Sequence, residues 1–152
     1  MECGICKLLN KENEEGIYET EHWKVALSPY QTYPGRCYVT LKRHAGDLAE
    51  LEKEEVLDFS ELVKKLETAL KKAFGATMFN WTCLMNDAYQ EKIPKPHLHW
   101  HFRPRYSDKV EIAGLIFEDK EFGHNYSRDR ERSQEVSEDV RKKIIKEIRK
   151  NL

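Results

Sequence analysis

Three of the chain's six histidines, His97, His99 and His101, stand at every second position of one run, Ile93-Pro94-Lys95-Pro96-His97-Leu98-His99-Trp100-His101-Phe102-Arg103-Pro104-Arg105. Near pH 7 an imidazole is mostly neutral, nucleophilic, and able to pass protons or ligate metals. A period of two is that of a β-strand, which places the three imidazoles on one face and Leu98, Trp100 and Phe102 on the other. Residues two apart on a strand are roughly 7 Å apart and residues four apart roughly 13 Å, so two neighbours could share a metal ion but all three could not. At least one imidazole is left for other chemistry. The plainer alternative is a strand with an exposed histidine face, and strict alternation of so uncommon a residue argues against it.

Cys3-Gly4-Ile5-Cys6 is half a zinc site or a redox pair. The redox pair wants a strand before it and a helix starting at it within a βαβ unit, a context not seen here. The zinc site needs two further ligands. His44, closing Leu41-Lys42-Arg43-His44, and His97 are the candidates for a Cys2His2 tetrahedron. Cys37 and Cys83 fall in apolar, strand-like runs, where a free cysteine behaves as a small hydrophobe.

The elements that must position these groups follow from patterning. Ile17-Tyr18-Glu19 and Trp23 to Leu27 predict a hairpin around Thr20-Glu21-His22, and Gly35 to Leu41 predicts the next strand after a loop from Ser28 to Pro34. Apolar residues at Val56, Phe59, Leu62, Val63, Leu66, Ala69, Leu70 and Phe74 form a helical stripe between Leu51 and Phe74, stopped by Gly75. Thr77 to Met85 is a strand by its aromatic and β-branched content, turning at Asn86 to Gln90. Beyond Val110 to Phe117 comes a polar loop, Glu118 to Arg132, and then a helix capped by Ser137 whose stripe is Val140, Ile144, Ile145, Ile148 and Leu152.

At 152 residues and net charge −1 the chain suits one domain and offers no overall field for nucleic acid or membrane surfaces. No apolar run reaches the length of a bilayer span and no apolar signal segment opens the chain, which predicts a cytoplasmic protein. There is no Gly-rich phosphate loop, so a nucleotide would have to be held in another way.

His97-Leu98-His99-Trp100-His101-Phe102 resembles the signature of the histidine triad (HIT) family, His-φ-His-φ-His-φ-φ with φ apolar. Arg103 takes the last apolar position, a departure expected to be harmless. Zinc-carrying members of that family pair an N-terminal Cys-x-x-Cys with a His after a Lys-containing strand end and with the first triad His, and Cys3, Cys6, His44 and His97 match residue by residue. The run ending at Gly35 and His44 is similar to the family's Asp-Ile-x-Pro-x-x-x-Gly-His stretch, with Ser28 where many members carry a ribose-contacting Asp and Arg36 where they carry His. Asn86 matches an Asn or Gln that touches phosphate. Ile93-Pro94 replaces a polar pair ahead of the triad, so that contact is expected to pass to Gln90 or Lys95.

The resemblance covers residues 3 to 105 and implies an α+β, HIT-like fold: an antiparallel sheet of about five strands with one long amphipathic helix and a C-terminal helix. It divides one domain into a core, 1–105, and a C-terminal extension, 106–152. It makes His99 the nucleophile at the α-phosphorus of a nucleotide, forming a nucleotidyl-histidine that water hydrolyses, with His101 as supporting neighbour. Asn86, Gln90, Lys95, Ser28, Leu27 and Ile17 are the implied substrate-binding residues. A structural zinc, no organic cofactor, a homodimer, and a dinucleoside polyphosphate or nucleoside phosphoramidate substrate complete the expectation. The alternative is a non-catalytic purine-nucleotide-binding protein of the same fold. A regulator that binds nucleic acid would want a basic face, and the Lys/Arg cluster of the last helix is balanced by acids.

Overall fold

Strict alternation of buried and part-exposed residues along Trp23–Leu27 and Cys37–Leu41 is the pleat expected of half-buried strands. In the computed structural model, which describes residues 3–10, 15–126 and 134–152, the order of elements is α1 (Gly4–Leu9), β1 (Gly16–Glu19), β2 (Trp23–Leu27), β3 (Cys37–Leu41), α2 (Lys53–Phe74), β4 (Met78–Cys83), β5 (His99–Arg105), β6 (Val110–Ile112), β7 (Leu115–Phe117) and α3 (Glu138–Lys150). Five strands form one antiparallel sheet in the order β1-β2-β3-β5-β4, and β6 and β7 form a separate hairpin. This is the α+β architecture expected. The last part of the expected polar loop, 127–132, lies outside the described residues.

Two strands are shorter than their sequence patterns. β3 begins at Cys37 because Arg36 gives its N–H to the Tyr33 carbonyl in a turn. β5 begins at His99, since Pro94 and Pro96 have no N–H to offer a ladder. Pairing nevertheless reaches one residue back: the Leu98 N–H donates to the Ala45 carbonyl at 2.8 Å, and the Leu41 N–H to the Leu98 carbonyl at 3.2 Å. These bonds hold His97 in the line of the strand.

One face of the sheet carries the core. Trp23, Val25, Leu27, Cys37, Val39, Leu41, Leu98 and Phe102 are buried there, with Leu62, Leu66, Ala69 and Leu70 of α2 in the same cluster. α2 is fixed in register by the Trp23 indole N–H on the Glu55 carbonyl and the Trp81 indole N–H on the Glu67 carboxylate, both at 2.9 Å. Phe59 wedges against Trp23, Trp81 and Trp100 with ring centroids 5.1 to 5.5 Å away. Gly75, at φ +72, caps the helix in the left-handed conformation. Gly35 is required for a second reason. Its φ of +87 is a conformation that side chains strain against, and a Cβ there would also run into a methyl of Leu70, so glycine lets the turn before β3 close onto α2 without displacing that side chain.

The other face carries the histidines. Cross-strand pairs run Thr40–His99, then Tyr38–His101–Thr82, and β5 continues on that face with Arg103 and Arg105. Arg105 and Asp119 form an ion pair at 2.6 Å in which both side chains are within 1% of fully buried. The remaining Arg105 donors go to Asn80 and to the carbonyls of Glu121 and His124, so every side of the guanidinium is met. This knot ties the 118–124 segment over the end of β5. Asp119→Ala should therefore cost about 3–5 kcal/mol, because it strands a desolvated cation. Denaturant melts would read this as a lower midpoint at unchanged slope, and a loss under about 1 kcal/mol would show the knot to be solvent-relaxed.

Candidate active site and metal cluster

Cys3 and Cys6 sit at the mouth of α1, where the Cys3 sulfur accepts the Cys6 N–H at 3.3 Å as an N-cap. His44 follows β3 in a loop clamped to the start of α2: Arg43 gives Nε and a terminal nitrogen to the Glu55 carboxylate at 2.5 and 2.8 Å. That hydrogen bond, ahead of burial, leaves the Glu55 carboxyl below the usual carboxylate range. His97 completes the group from the entry to β5.

The Sγ atoms of Cys3 and Cys6 lie 3.3 Å apart, each 3.3 Å from His97 Nδ1. His44 Nδ1 is 3.6 Å from Cys6 Sγ and 3.3 Å from His97 Nδ1. All four atoms fall within 4.8 Å of one another. A tetrahedron with sulfurs at about 2.3 Å and nitrogens at about 2.0–2.1 Å from zinc has edges of roughly 3.3–3.8 Å, so these four groups fit such an ion. The tautomer fits as well. His97 Nε2 is 2.7 Å from the Leu41 carbonyl oxygen. A carbonyl only accepts, so the proton is on Nε2 and the Nδ1 lone pair faces the cysteines. Burial lowers the proton affinity of His97 further.

The same reasoning sorts the other two imidazoles. His99 Nδ1 lies 2.8 Å from the His97 carbonyl oxygen, so Nδ1 carries the proton and Nε2 presents a free lone pair. His101 turns its Nε2 to the Leu84 carbonyl at 3.4 Å and leaves Nδ1 buried without a partner. Its ring is 4.9 Å from that of His99 and 5.2 Å from Tyr38. Burial first, then the charges of His99 and Arg103, push its pKa down from 6.5 to about 4. The unfolded chain thus binds this proton more readily than the folded one. Stability conferred by a neutral His101 is complete above pH 6.5 and is lost as pH falls toward 4, a window that acid-side thermal melts of parent and His101→Gln would expose as a flatter slope in the variant.

The other expected substrate residues fall in two groups. Asn86 and Gln90 are exposed on a short 3-10 turn, Asn86–Gln90, two residues beyond the Leu84 carbonyl that meets His101, and Lys95 is half-buried. Ile17, Leu27 and Ser28 are buried instead. Leu27 shares the cross-strand row of Cys37 and Phe102 on the core side, and the Ser28 hydroxyl accepts the Tyr30 N–H. Patterning did not point to Arg36 and Arg103. Arg103 is 7% exposed on the histidine face, and Arg36 carries a buried Nε without a partner.

Among curated proteins, galactose-1-phosphate uridylyltransferase of Thermotoga maritima is 29% identical over 116 residues, which is 74% of this chain and 36% of that protein. The chain thus spans little more than a third of that relative's length. Among solved structures, a hypothetical histidine triad nucleotide-binding protein from Sulfolobus tokodaii superposes with TM-score 0.69 at 21% identity, covering 98% of this chain and 91% of its own. A Zn-bound histidine triad family protein from Mycobacterium smegmatis does so with TM-score 0.62 at 20% identity, covering 97% and 94%. At these identities the two structures speak for the fold. The HIT domain family model matches residues 10–108, and with the triad strand and five-stranded sheet inside that span, the chain belongs to the HIT domain family.

Proposed function

We propose that the protein transfers or hydrolyses a nucleotidyl group at its α-phosphate through a covalent nucleotidyl-His99. The observation that carries this reading is the 2.8 Å bond from His99 Nδ1 to the His97 carbonyl, which leaves Nε2 as an uncommitted nucleophile on the open face of the sheet. Nε2 attacks phosphorus as the leaving group departs, and the acceptor then breaks the P–N bond and restores the neutral imidazole. His101, neutral at working pH and with its ring 4.9 Å from that of His99, would support the nucleophile as its neighbour on the strand. Asn86, Gln90 and Lys95 lie on the loop leading to the triad and would meet the phosphates, while Ile17, Leu27 and Ser28 would shape the nucleoside end from within. The uridylyltransferase relative supports nucleotidyl transfer as the reaction class.

Cys3, Cys6, His44 and His97 would hold a zinc ion. With four protein ligands it has no open position, so it supplies structure, tying α1 and the His44 loop to the head of β5. The nucleotidyl reading is tested by incubating purified protein with a fluorogenic adenosine phosphoramidate and with dinucleoside polyphosphates. Release of nucleoside monophosphate supports it. Tight nucleotide binding without turnover of any of these would leave a binding protein of the same fold.

A further inference from the structure

The His101 ring has a neighbour on each side in the sheet. His99 and Arg103 come before and after it on the same face of β5, and Tyr38 of β3 and Thr82 of β4 stand directly across from it. Tyr38 also reaches a second member of the row. Its ring centroid is 5.2 Å from that of His101 and 6.3 Å from that of His99, at interplanar angles of 73° and 67°. Both are edge-to-face contacts, an arrangement that aromatic rings favour.

Hydrogen bonding does little to fix His101. Its Nε2 reaches the Leu84 carbonyl only at 3.4 Å, and its Nδ1 is buried without a partner. One long hydrogen bond does not hold a ring in place, so packing has to. The charged or titratable groups that face it are His99 and Arg103 of β5, Arg36 ahead of β3 and the Tyr38 phenol; on the β4 side, Thr82 and Leu84 carry none. None of these is a carboxylate, so an imidazolium at this place would depend on water for its stability. The Tyr38 ring covers His101 on the β3 side, where that water would otherwise enter.

We propose that Tyr38 is a positioning residue for the reaction at His99, its ring bracing His101 against the Leu84 carbonyl and closing the β3 side of the histidine row to water. This catalytic use rests on the nucleotidyl-His99 reading; the bracing of His101 does not. As Nε2 of His99 bonds to phosphorus, the leaving group departs with the electron pair of its own bond to phosphorus. Nδ1 keeps its proton against the His97 carbonyl, so the adduct's ring carries a positive charge. A neutral ring 4.9 Å away accommodates that charge, and an imidazolium there would oppose it. Burial is the first cause of the His101 pKa of about 4, and Tyr38 is part of what buries it. Without the Tyr38 ring, the His101 pKa returns toward 6.5 and the charge stands beside the adduct at mildly acid pH.

An NMR titration of the imidazole resonances in the full chain, with His101 assigned from His101→Gln, reads the bracing without any substrate. In the parent and in Tyr38→Phe, which keeps the ring, His101 should stay neutral down to about pH 5. In Tyr38→Leu, and in Tyr38→Met as a second ring-free variant, its midpoint should rise by at least about one unit, a tenfold gain in proton affinity. Ring-free variants that titrate as the parent does, or a Tyr38→Phe that titrates as they do, overturn the bracing by the ring. A second arm follows turnover of an adenosine phosphoramidate across the same pH range. Relative to the parent, kcat of Tyr38→Leu should be down at least about tenfold near pH 5.5 and within about threefold near pH 8, with KM changed by less than about threefold. A purely structural loss would not depend on pH in this way. A raised midpoint with a kcat ratio that is flat in pH overturns the catalytic use. A raised midpoint in a protein that turns nothing over supports the bracing and counts against the reading of His99.

Discussion

His99→Ala is expected to lower turnover by on the order of 10⁴-fold or more, as removal of a covalent nucleophile does elsewhere. The size of the effect follows from the division of labour on β5. Nδ1 of His99 is committed to the His97 carbonyl, so only Nε2 is left to act, and no other side chain presents an equivalent lone pair in the same row. His101 cannot substitute, because its Nε2 faces the Leu84 carbonyl and its Nδ1 is buried. Intact mass after rapid quench should show the parent carrying a nucleotidyl adduct and His99→Ala carrying none. Affinity for the monophosphate product should change by less than about threefold, since the imidazole contributes to bond making more than to binding. An adduct that persists in His99→Ala, or turnover within about tenfold of the parent, would sink the assignment.

The parts of this site that could be read from the chain are those governed by local spacing. Period-two alternation over 97–102 fixes which side chains share a face, and the structure pairs His99 with Thr40 and His101 with Tyr38 on that face. The helical stripe of α2 and its Gly75 stop are local in the same sense. The four candidate metal ligands are far apart in sequence, and Cys-x-x-Cys with two histidines was legible because zinc geometry leaves few combinations.

What the chain hid depends on long-range packing. Arg103 departs from an apolar position at the strand's end, which in sequence looks inconsequential. Only the fold shows it buried beneath Tyr126, a residue of the extension, with the charge of Arg36 near enough to be felt. Tyr126 reaches there because Arg105 and Asp119 anchor the 118–124 segment, and neither the ion pair nor its burial has a local signature. The β6–β7 hairpin is hidden for another reason. Its turn places Ala113 and Gly114 at φ 56 and 78, and alanine rarely adopts that conformation, so the usual Asn-Gly signal is missing. The burial of Ser28 likewise depends on a loop: the N–H groups of Ser28 and Gly35 and the Gln31 amide are bonded within 28–36.

Removal of metal should be the second large effect, and it should reach the reaction as well as the fold. Purified protein is expected to hold about one zinc per chain, lost in Cys6→Ser and on treatment with a strong chelator. Without the ion, the two cysteine sulfurs and the Nδ1 atoms of His44 and His97, 3.3 to 3.6 Å from their neighbours, have only weak thiol hydrogen bonds in place of four metal bonds. The core cluster of β2, β3, β5 and α2 does not depend on that site, so unfolding need not be complete, as it is where a small domain condenses only around its zinc. A fall of at least about 10 °C in Tm is the expected size for a domain of this length. The loosened end is the one that holds the nucleophile: His97 provides both a ligand nitrogen and the carbonyl that fixes the tautomer of His99. Turnover at a temperature where the metal-free protein is still folded should therefore drop, with kcat falling more than affinity, because the tautomer matters to attack and not to binding. A metal-free preparation with the parent's Tm would remove the zinc from the account. One with a lowered Tm and unchanged kcat would confine the zinc to the fold and leave the tautomer of His99 to the Leu41 and Leu98 backbone bonds that hold His97 in line.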